Sequence, residues 1–354
     1  MKVMIVTDAW WPQVNGVVNT IVATQHELEN MGHSVEILSP LEFRTLPCPT
    51  YPDIRLSILP GKAVAKRIRD YAPDALHLAT EGPLGIAARR FAIRHGLPYN
   101  TAYHTRFPEY VKARIGFPLA WTYRFLRWFH GPAHAVMAPT PKVKSDLEAY
   151  GFSNVVLWTR GVDLEVFRLQ RCRRLESAPP IFLYVGRVAV EKNIEAFLDL
   201  DLPASKWVVG DGPALAGLRA KYPQVNYLGV LDQTALAEVY ASADVFVFPS
   251  KTDTFGLVLL EAMACGLPVA AYPVTGPIDV LGDVPSNLAG GVMHENLREA
   301  CLAALHIDRA TARAHAERFS WRAATEQFVK HLRPASQADE DQLTSLAGYQ
   351  CKSR

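Results

Sequence analysis

Short apolar segments alternate with longer amphipathic segments along the first 160 residues. Residues 3–7 have the pattern of a buried strand, residues 19–31 that of an amphipathic helix, and residues 34–38 that of a second strand. The alternation continues, and further strands are predicted at residues 75–78, 99–103 and 135–138. Strands that alternate with helices are typical of a parallel sheet covered by helices, so this part of the chain is predicted to form a Rossmann-like domain.

The alternation is interrupted once and then resumes. Residues 168–180 are polar, rich in arginine and flanked by proline, and a new apolar strand begins at Ile181. Further strands are predicted at residues 207–209, 225–228, 245–248 and 269–272. We therefore predict an α/β protein with two Rossmann-like domains, a first domain over 1–167, a linker over 168–180, a second domain over 181–320, and a polar, disordered tail over 335–354. Because ligands bind at the carboxyl ends of parallel strands, the functional site is expected in a cleft between the two domains.

Composition narrows the functional classes. Residues 1–160 contain 18 Lys/Arg against 12 Asp/Glu, whereas the remainder contains 19 against 23, so the first half is basic and the second acidic. The five cysteines include no C-x-x-C pair, which argues against a zinc or redox site. The apolar runs are far shorter than the ~20 residues of a membrane-spanning helix. The chain also begins with a predicted strand where a signal peptide would carry its apolar region, so a cytoplasmic protein is expected.

The most informative motif is the segment over residues 250–269, which follows a predicted strand and opens a helix. Backbone N–H groups at Phe255, Gly256 and Leu257 are expected to point from the helix N-terminus towards an anion. Asp253 precedes this helix and Glu261 lies within it, so both carboxylates are candidates to bind hydroxyl groups of one ligand. Spacing alone equally supports a helix cap at Asp253 and a solvated carboxylate at Glu261.

A second motif, residues 186–193, also lies between a predicted strand and a helix. Arg187 can form two parallel bonds to phosphate oxygens, and Lys192 adds a compact positive charge where a leaving phosphate accumulates negative charge. Gly186 opens this loop. Basic residues are common in surface loops, so an ordinary solvated loop is the alternative.

The third motif, residues 12–18, follows the first strand. Asn15 and Gly16 permit a close approach of backbone to phosphate, although an ordinary turn explains them equally well. The full G-x-G-x-x-G fingerprint is absent, because Leu215 stands where the third glycine after Gly210 and Gly212 belongs. A nicotinamide dehydrogenase is therefore disfavoured, and no cofactor is predicted.

Two further features have a functional and a structural interpretation. Asp199 and Asp201 match the D-x-D pattern of metal-dependent sugar transferases, but they lie at a helix end before a proline, so we interpret them as a polar turn and predict no metal site. His104 follows a predicted strand in a loop expected to face the cleft, where it can donate a hydrogen bond to a substrate oxygen. A structural histidine is the alternative.

Together, these motifs resemble the family 4 retaining glycosyltransferases of the GT-B fold over nearly the whole chain. The segment from Phe255 to Val269 carries the resemblance most specifically, because these enzymes usually have two acidic residues eight positions apart; here the first is Asp253 where glutamate is usual. The resemblance implies two facing Rossmann-like domains and a C-terminal helix over 321–334 that crosses back to the first domain.

The resemblance also implies roles for individual residues. Arg187 and Lys192 would neutralise the departing diphosphate, Glu261 would bind ribose hydroxyls, and His104 would lie beside the transferred sugar. The predicted catalytic residues are His104, Arg187, Lys192 and Asp253. Donor contacts would also come from the backbone near Val230 and Leu231, and the remaining implied donor contacts are Asn15, Gly16, Gly186, Thr254, Phe255, Gly256 and Leu257. A metal would be unnecessary. Retention is predicted to proceed by front-face attack, because none of the carboxylates in these motifs is placed as a nucleophile.

Residues 7–16 and 103–110 look like those of family members that glycosylate membrane lipids. On this basis Asp8, Trp10, Thr105 and Arg106 are predicted on the acceptor side. Residues 60–130 contain 12 Lys/Arg against 4 Asp/Glu with aromatic residues interleaved, a mixture that suits an anionic membrane surface. The alternative is that the aromatic residues belong to the core and the cations to a solvated face. Nucleic acid is not predicted as a partner, since no recognition module accompanies the charge.

The sequence therefore predicts a retaining, metal-independent hexosyltransferase on the inner face of the membrane. It would transfer a hexose from a UDP-sugar or GDP-mannose to a lipid such as diacylglycerol or a phospholipid. The alternatives are a transferase acting on a soluble or polyprenyl-linked saccharide in polysaccharide assembly, a catalytically silent GT-B binding module, and a nucleotide-sugar epimerase.

Overall fold

The computed structural model describes residues 1–12, 15–48, 51–109, 112, 116, 118–169, 180–202, 204–251, 253, 255–282, 284–285 and 288–334. The chain forms two compact units. The first unit comprises Met1–Thr159 together with the chain from Ala324 onward, and the second comprises Arg160–Ala323. Most of the predicted linker and the whole predicted disordered tail lie outside the described residues.

Strands and helices alternate in both units. The strands are β1 (Lys2–Val6), β2 (Ser34–Leu38), β3 (Thr45–Cys48), β4 (Tyr51–Ser57), β5 (Ala75–Leu78), β6 (Tyr99–Ala102), β7 (Ala135–Ala138), β8 (Val155–Leu157), β9 (Ile181–Val185), β10 (Ser205–Val209), β11 (Asn226–Gly229), β12 (Val245–Phe248), β13 (Val269–Ala271) and β14 (Gly291–Met293). The helices are α1 (Gly16–Asn30), α2 (Gly61–Tyr71), α3 (Pro83–His95), α4 (Leu119–His130), α5 (Pro141–Ala149), α6 (Glu195–Leu198), α7 (Leu215–Lys221), α8 (Gln233–Ser242), α9 (Leu257–Ala264), α10 (Pro277–Leu281), α11 (Leu297–Ala304), α12 (Arg309–Ala316) and α13 (Trp321–His331). Short 3-10 helices occupy Pro40–Glu42 and Val190–Lys192.

In the first unit, six described strands form a parallel sheet in the order β2-β1-β5-β6-β7-β8, and β3 and β4 form a separate antiparallel pair. The side chains of β5, β6 and β7 are buried throughout, so these strands lack the alternation of a half-exposed strand, and β6 buries the polar Asn100 and Thr101. Strand β2 lies next to β1 on one side, and β5 lies next to β1 on the other side. The β1–β5 boundary is therefore the topological switch point of this sheet, where ligands of such sheets bind.

In the second unit, the described strands also form a six-stranded parallel sheet, in the order β11-β10-β9-β12-β13-β14. Its central strands β9, β12 and β13 are fully buried, and one hydrophobic cluster covers each face of the sheet. Here the order reverses between β9 and β12. The loops that follow these two strands therefore flank the switch point of the second unit.

The later part of helix α13 packs within the first unit. The ring of Phe328 lies 4.9 Å from the rings of both His77 and Trp158. The amide of Asn100 donates a hydrogen bond to the carbonyl of His331, and Gln327 accepts hydrogen bonds from the backbone and hydroxyl of Thr159. These contacts bury one face of the helix in the core formed by β1 and its neighbours.

None of the described helices combines the length and the apolar character that crossing a bilayer requires.

Candidate functional site

Two predicted site residues of the second unit meet at its switch point. Lys192 ends the 3-10 helix that follows β9, and Asp253 lies in the loop that follows β12. The ammonium group of Lys192 forms an ion pair with the Oδ1 atom of Asp253, although the two residues are 61 positions apart. Their side chains are only 20% and 14% exposed, so the pair is partly shielded from solvent. The fold thus places one cation and one carboxylate where a ligand of such a sheet binds.

Close backbone approach shapes the loop that carries Arg187 and Lys192. A Cβ atom added at Gly210 would lie 2.0 Å from the carbonyl oxygen of Gly186, so glycine is required there. The backbone N–H of Val188 donates to the carbonyl of Asp211 at 2.9 Å. Gly210 and Gly212, which do not belong to a complete dinucleotide-binding fingerprint, therefore allow the loop after β10 to pack against the loop after β9. In the β9 loop, Arg187 is half-buried, and its carbonyl accepts a hydrogen bond from Tyr184 at 2.8 Å.

The acidic motif forms the predicted turn into helix α9. Phe255 is buried, and Gly256 caps the helix with a φ of 85°, in the left-handed region that favours glycine. Leu257 is the first helical residue, so the N–H groups of this first turn lack intrahelical acceptors. Thr254, which was also predicted to contact the donor, lies outside the described residues.

Glu261 lies on α9 and is half-buried. Its Oε2 atom accepts a hydrogen bond from the hydroxyl of the buried Tyr240 at 3.2 Å. Burial raises the pKa of Glu261 to about 7, and the Tyr240 hydrogen bond opposes this rise only partly. A carboxyl group whose pKa lies this close to neutral is typical of functional sites. Of the other predicted donor contacts, Val230 is 61% exposed in the loop after β11, whereas Leu231 packs against the core.

Asp8 follows β1 in the first unit and is buried. Its carboxylate accepts hydrogen bonds from the backbone of Leu84 at 2.9 Å and Gly85 at 3.3 Å, and from the hydroxyl of Thr80 at 3.0 Å. A Cβ atom at Gly82 would lie 2.4 Å from the Asp8 carboxyl carbon, so only glycine fits over it. Burial raises the pKa of Asp8 to about 6, the three hydrogen bonds oppose the rise, and the charge of Glu81 adds to it. Asp8 therefore anchors the start of helix α3 to the end of β1.

The loop after β1 leads into helix α1 through Asn15. The Asn15 side chain caps this helix and accepts hydrogen bonds from the backbone of Val17 at 3.0 Å and Val18 at 3.1 Å. Gly16 is the first helical residue. The amides that a phosphate would use at this helix therefore already have a side-chain acceptor. Residues 13 and 14 of the same motif lie outside the described residues.

The remaining predicted residues of the first unit lie in loops after β1 and β6. His104 is half-buried, and its ring packs edge-on against Trp158 with the centroids 5.7 Å apart. Arg106 donates to Asp146 at 2.8 Å, and although burial disfavours the charged form, this hydrogen bond raises the pKa of Arg106. Trp10 packs against the core, and Thr105 is half-buried beside His104. The roles predicted for these side chains stay predictions.

One polar cluster in the first unit was not predicted. Glu81 follows β5, and its Oε1 atom lies 3.1 Å from Nε2 of the fully buried His130, whose Nδ1 lies 2.8 Å from the Thr101 hydroxyl. The sequence gives only a weak indication of this cluster, because Glu81 is a single glutamate between a buried strand and a Gly-Pro pair. The cluster adjoins the β1–β5 switch point.

The D-x-D segment has structural contacts. The carboxylate of Asp199 accepts a hydrogen bond from the hydroxyl of Tyr222, and the carbonyl of Asp201 accepts one from Arg298 at 3.0 Å. Within the described ranges, no group of three or more His, Cys, Asp or Glu side chains is arranged to hold a metal ion.

Comparison with known families and relatives places the chain in one family. The model of Glycosyltransferase Family 4 matches residues 14–166, and that of Glycosyl transferases group 1 matches residues 179–306. A GDP-mannose-dependent alpha-mannosyltransferase of Mycobacterium tuberculosis is 31% identical over 79% of this chain and 81% of its own length. This chain is a family 4 glycosyltransferase. The predicted family is thereby confirmed, and so is the prediction of a sugar-transferring enzyme.

Other relatives of this family 4 glycosyltransferase differ in donor and acceptor. The sulfoquinovosyl transferase of Arabidopsis thaliana is 32% identical over 80% of the chain, which spans 61% of that relative's length. The alpha-monoglucosyldiacylglycerol synthase of Streptococcus pneumoniae is 26% identical over 77% of the chain and 71% of its own length.

A solved structure supports the fold of this family 4 glycosyltransferase. The sucrose-phosphate synthase of Thermosynechococcus elongatus superimposes with a TM-score of 0.74 at 22% identity, covering 93% of this chain and 97% of that one. The predicted GT-B fold class, with two Rossmann-like units that each contain a parallel sheet, is confirmed.

Proposed function

We propose that the protein transfers a hexose from a nucleoside diphosphate sugar to a membrane lipid, with retention of configuration and without a metal. The observation that carries the donor side of this proposal is the meeting of Lys192 with Asp253 at the β9–β12 switch point. The two motifs that contain these residues were both assigned to the donor side by family resemblance, and the fold brings them together. The relatives named above use a GDP-mannose or a sulfoquinovosyl donor, so the nucleotide and sugar are left to experiment.

On the donor side, each polar group has a chemical task. Lys192 and Arg187 would stabilise the charge that develops on the diphosphate as the glycosidic C–O bond breaks. Asp253 would release Lys192 and bind a sugar hydroxyl. Glu261, in its ionised form, would accept hydrogen bonds from the ribose. The first-turn amides of α9 would add N–H donors for phosphate.

Retention is proposed to proceed by front-face attack. The acceptor hydroxyl attacks the anomeric carbon on the face that the diphosphate leaves, and a diphosphate oxygen takes the hydroxyl proton. This route needs no enzyme nucleophile, and both motif carboxylates have partners: Asp253 is ion-paired with Lys192, and Glu261 is hydrogen-bonded to Tyr240. Detection of a covalent glycosyl-enzyme adduct by mass spectrometry after donor is mixed with enzyme would contradict this mechanism.

On the acceptor side, support comes from a relative and from helix α4. The pneumococcal relative is named for synthesis of a glucosyldiacylglycerol. In this chain, α4 buries Tyr123, Leu126 and Phe129 on one side. On the other side it presents an exposed face, hereafter the aromatic face, that consists of Trp121, Arg124 and Trp128; the half-buried Phe125 stacks beside Trp128.

The aromatic face has the composition of a membrane-contacting surface. Trp121 is 61% exposed and Trp128 44% exposed, whereas tryptophan is usually well buried in a soluble domain. The guanidinium of the exposed Arg124 lies 5.8 Å from the Trp121 ring, whereas the buried Arg89 lies 4.0 Å from the Trp128 ring and supports it from within the unit. Exposed indole rings beside an exposed arginine suit the interface of an anionic bilayer, so we propose peripheral binding on the cytoplasmic face of the membrane.

Sedimentation with vesicles tests the membrane part of the proposal. The wild-type protein is expected to sediment with phosphatidylglycerol vesicles at low salt, and the variant W121A/W128A is expected to remain largely in the supernatant. Leu41→Ala is the matched control, because Leu41 is a 66% exposed apolar residue of the same unit outside α4. Equal sedimentation of the wild type and W121A/W128A would contradict a role for the aromatic face.

Product analysis tests the function itself. The protein would be incubated in EDTA with UDP-glucose, UDP-galactose, UDP-glucuronate or GDP-mannose, with and without diacylglycerol vesicles. Nucleotide diphosphate release that requires the vesicles and yields a glycolipid is expected for one donor. Release without lipid dependence would favour the saccharide transferase, and absence of release would favour the silent binding module. Interconversion of the donor sugar without release would favour an epimerase.

A further inference from the structure

We propose that Glu81 binds the attacking acceptor's hydroxyl region and selects an uncharged acceptor, an inference that rests on the proposed function. The position of the residue supports this assignment. Glu81 follows β5, Asp8 follows β1, and the boundary between these strands is the switch point of the first sheet. His104 follows the next strand, β6, so Glu81 lies between the loops already assigned to the acceptor side.

The contacts of Glu81 fix one of its oxygens. A carboxylate can only accept hydrogen bonds, so the Nε2 atom of His130 must donate to Oε1 across their 3.1 Å contact. In the neutral imidazole, Nδ1 then accepts from the Thr101 hydroxyl 2.8 Å away. His130 and Thr101 are both fully buried, so this relay holds the glutamate from inside the core. Its side chain is oriented before any ligand arrives.

The other oxygen of Glu81 remains available to a ligand. The side chain is 23% exposed, and within the described part of the chain no hydrogen bond reaches Oε2. A fixed, partly exposed carboxylate oxygen is an acceptor for a hydroxyl hydrogen. Asp8 differs, because both of its oxygens accept hydrogen bonds from the start of α3. Asp8 is therefore structural and Glu81 is the carboxylate that faces ligand.

Charge determines the acceptor class. Glu81 contributes a negative charge at the β1–β5 switch point, and this charge acts on the carboxyl group of Asp8. Arg106, the cation predicted on the acceptor side, is held by Asp146 and Glu109. An anionic head group beside the partly exposed Glu81 carboxylate would therefore be repelled by its charge. The site therefore fits a neutral hydroxyl, such as that of diacylglycerol or an uncharged sugar, better than an anionic phospholipid.

Steady-state kinetics tests the assignment with two acceptor probes, diacylglycerol in phosphatidylcholine vesicles and soluble octyl glucoside. Against the probe that the wild type uses, Glu81→Gln is expected to raise the acceptor KM about tenfold, the loss of one hydrogen bond to a charged group. The donor KM and the thermal unfolding midpoint should not change. Glu148→Gln is the control, because Glu148 is an exposed glutamate of the same unit that pairs with Lys144.

The outcomes separate the two proposals. If the wild type transfers sugar to diacylglycerol and Glu81→Gln leaves the acceptor KM unchanged, or raises the donor KM equally, the assignment of Glu81 is wrong and the proposed function stands. The same holds if the wild type prefers phosphatidylinositol, supplied in matched vesicles, over diacylglycerol. Transfer to octyl glucoside alone would overturn the proposed lipid transfer, and transfer to none of the three acceptors would overturn both proposals.

Discussion

The two units share one sheet architecture but use their polar residues differently. In the second unit, Lys192 and Asp253 hold each other across the switch point, and neither caps a helix. In the first unit, Asp8 and Asn15 sit after β1 and are fully engaged with the backbone of α3 and α1. A ligand can therefore replace the partners of Lys192 and Asp253, whereas the partners of Asp8 and Asn15 hold helices of the first unit in place. Removal of Lys192 should mainly lower activity, and removal of Asp8 should mainly lower stability.

The largest expected effect is the loss of activity on removing the Lys192 charge. Lys192→Ala should lower kcat/KM by about 10²–10³-fold, because one positioned group that stabilises transition-state charge contributes this much. The unfolding midpoint should also fall, because the substitution leaves the mostly buried Asp253 carboxylate without its ion-pair partner. Turnover is therefore measured well below that midpoint.

A matched lysine controls this substitution. Lys221 is exposed and pairs with Glu195 at 2.9 Å in the same unit, so Lys221→Ala should leave kcat/KM unchanged. Wild-type turnover in Lys192→Ala would contradict the proposed role of Lys192, and with it the difference drawn between the two units.

A smaller effect is expected in the first unit, and on stability. Asp8→Ala removes the acceptor for two backbone N–H groups at the start of α3, so it should destabilise the protein by about 2 kcal/mol. Urea unfolding measures this change. Asp70→Ala is the control, because Asp70 forms only an exposed pair with Lys66. An Asp8→Ala protein of unchanged stability would show that Asp8 is not the anchor that its contacts describe.

The smallest effect concerns the pH dependence of stability. The pKa of Glu261 is about 7 in the folded protein against an ordinary 4.5, so the folded state retains a proton that the unfolded chain releases between these values. The contribution of Glu261 to the free energy of unfolding is therefore fully present below pH 4.5 and is lost as the pH rises to about 7. Asp8 acts in the same direction between pH 3.8 and about 6.

Glu261→Gln isolates the contribution of Glu261. Its urea midpoint should fall less than that of the wild type between pH 6 and 7.5, and the protonation change of Asp8 affects both proteins equally over this range. The same variant should also weaken donor binding at pH 8, where the wild-type carboxylate is ionised. Parallel midpoint curves for the two proteins would show that Glu261 is not protonated at neutral pH in the fold.

The alternation of apolar and amphipathic segments predicted five of the six described strands in each parallel sheet. The strands that it missed, β8 and β14, are three-residue strands at the sheet edges. Strands such as β9 and β12 are continuous buried runs, and a run of this kind followed by glycine or proline is distinctive in sequence. The acidic motif could also be recognised in the sequence, because Asp253, Gly256 and Glu261 lie close together in the chain.

The Glu81 cluster escaped prediction for a physical reason. It unites Glu81, Thr101 and His130, which come from a loop, a strand and a helix end and are 20 or more positions apart. Spacing could not reveal it, since only the parallel pairing of β5 with β6 brings the loop and strand together. The hydrogen bonds from the backbone of α3 to Asp8 also join residues that are 76 and 77 positions apart, so spacing could not reveal them. The acceptor-side role of Asp8 stays a prediction.

Calorimetric titration of UDP and GDP into the protein in EDTA tests the central claim, that the charges at the β9–β12 switch point bind the donor diphosphate. The wild type and Lys221→Ala should bind one of the two nucleotides with equal affinity, and Lys192→Ala should bind it at least about tenfold more weakly. Equal affinity in Lys192→Ala and the wild type would contradict the account.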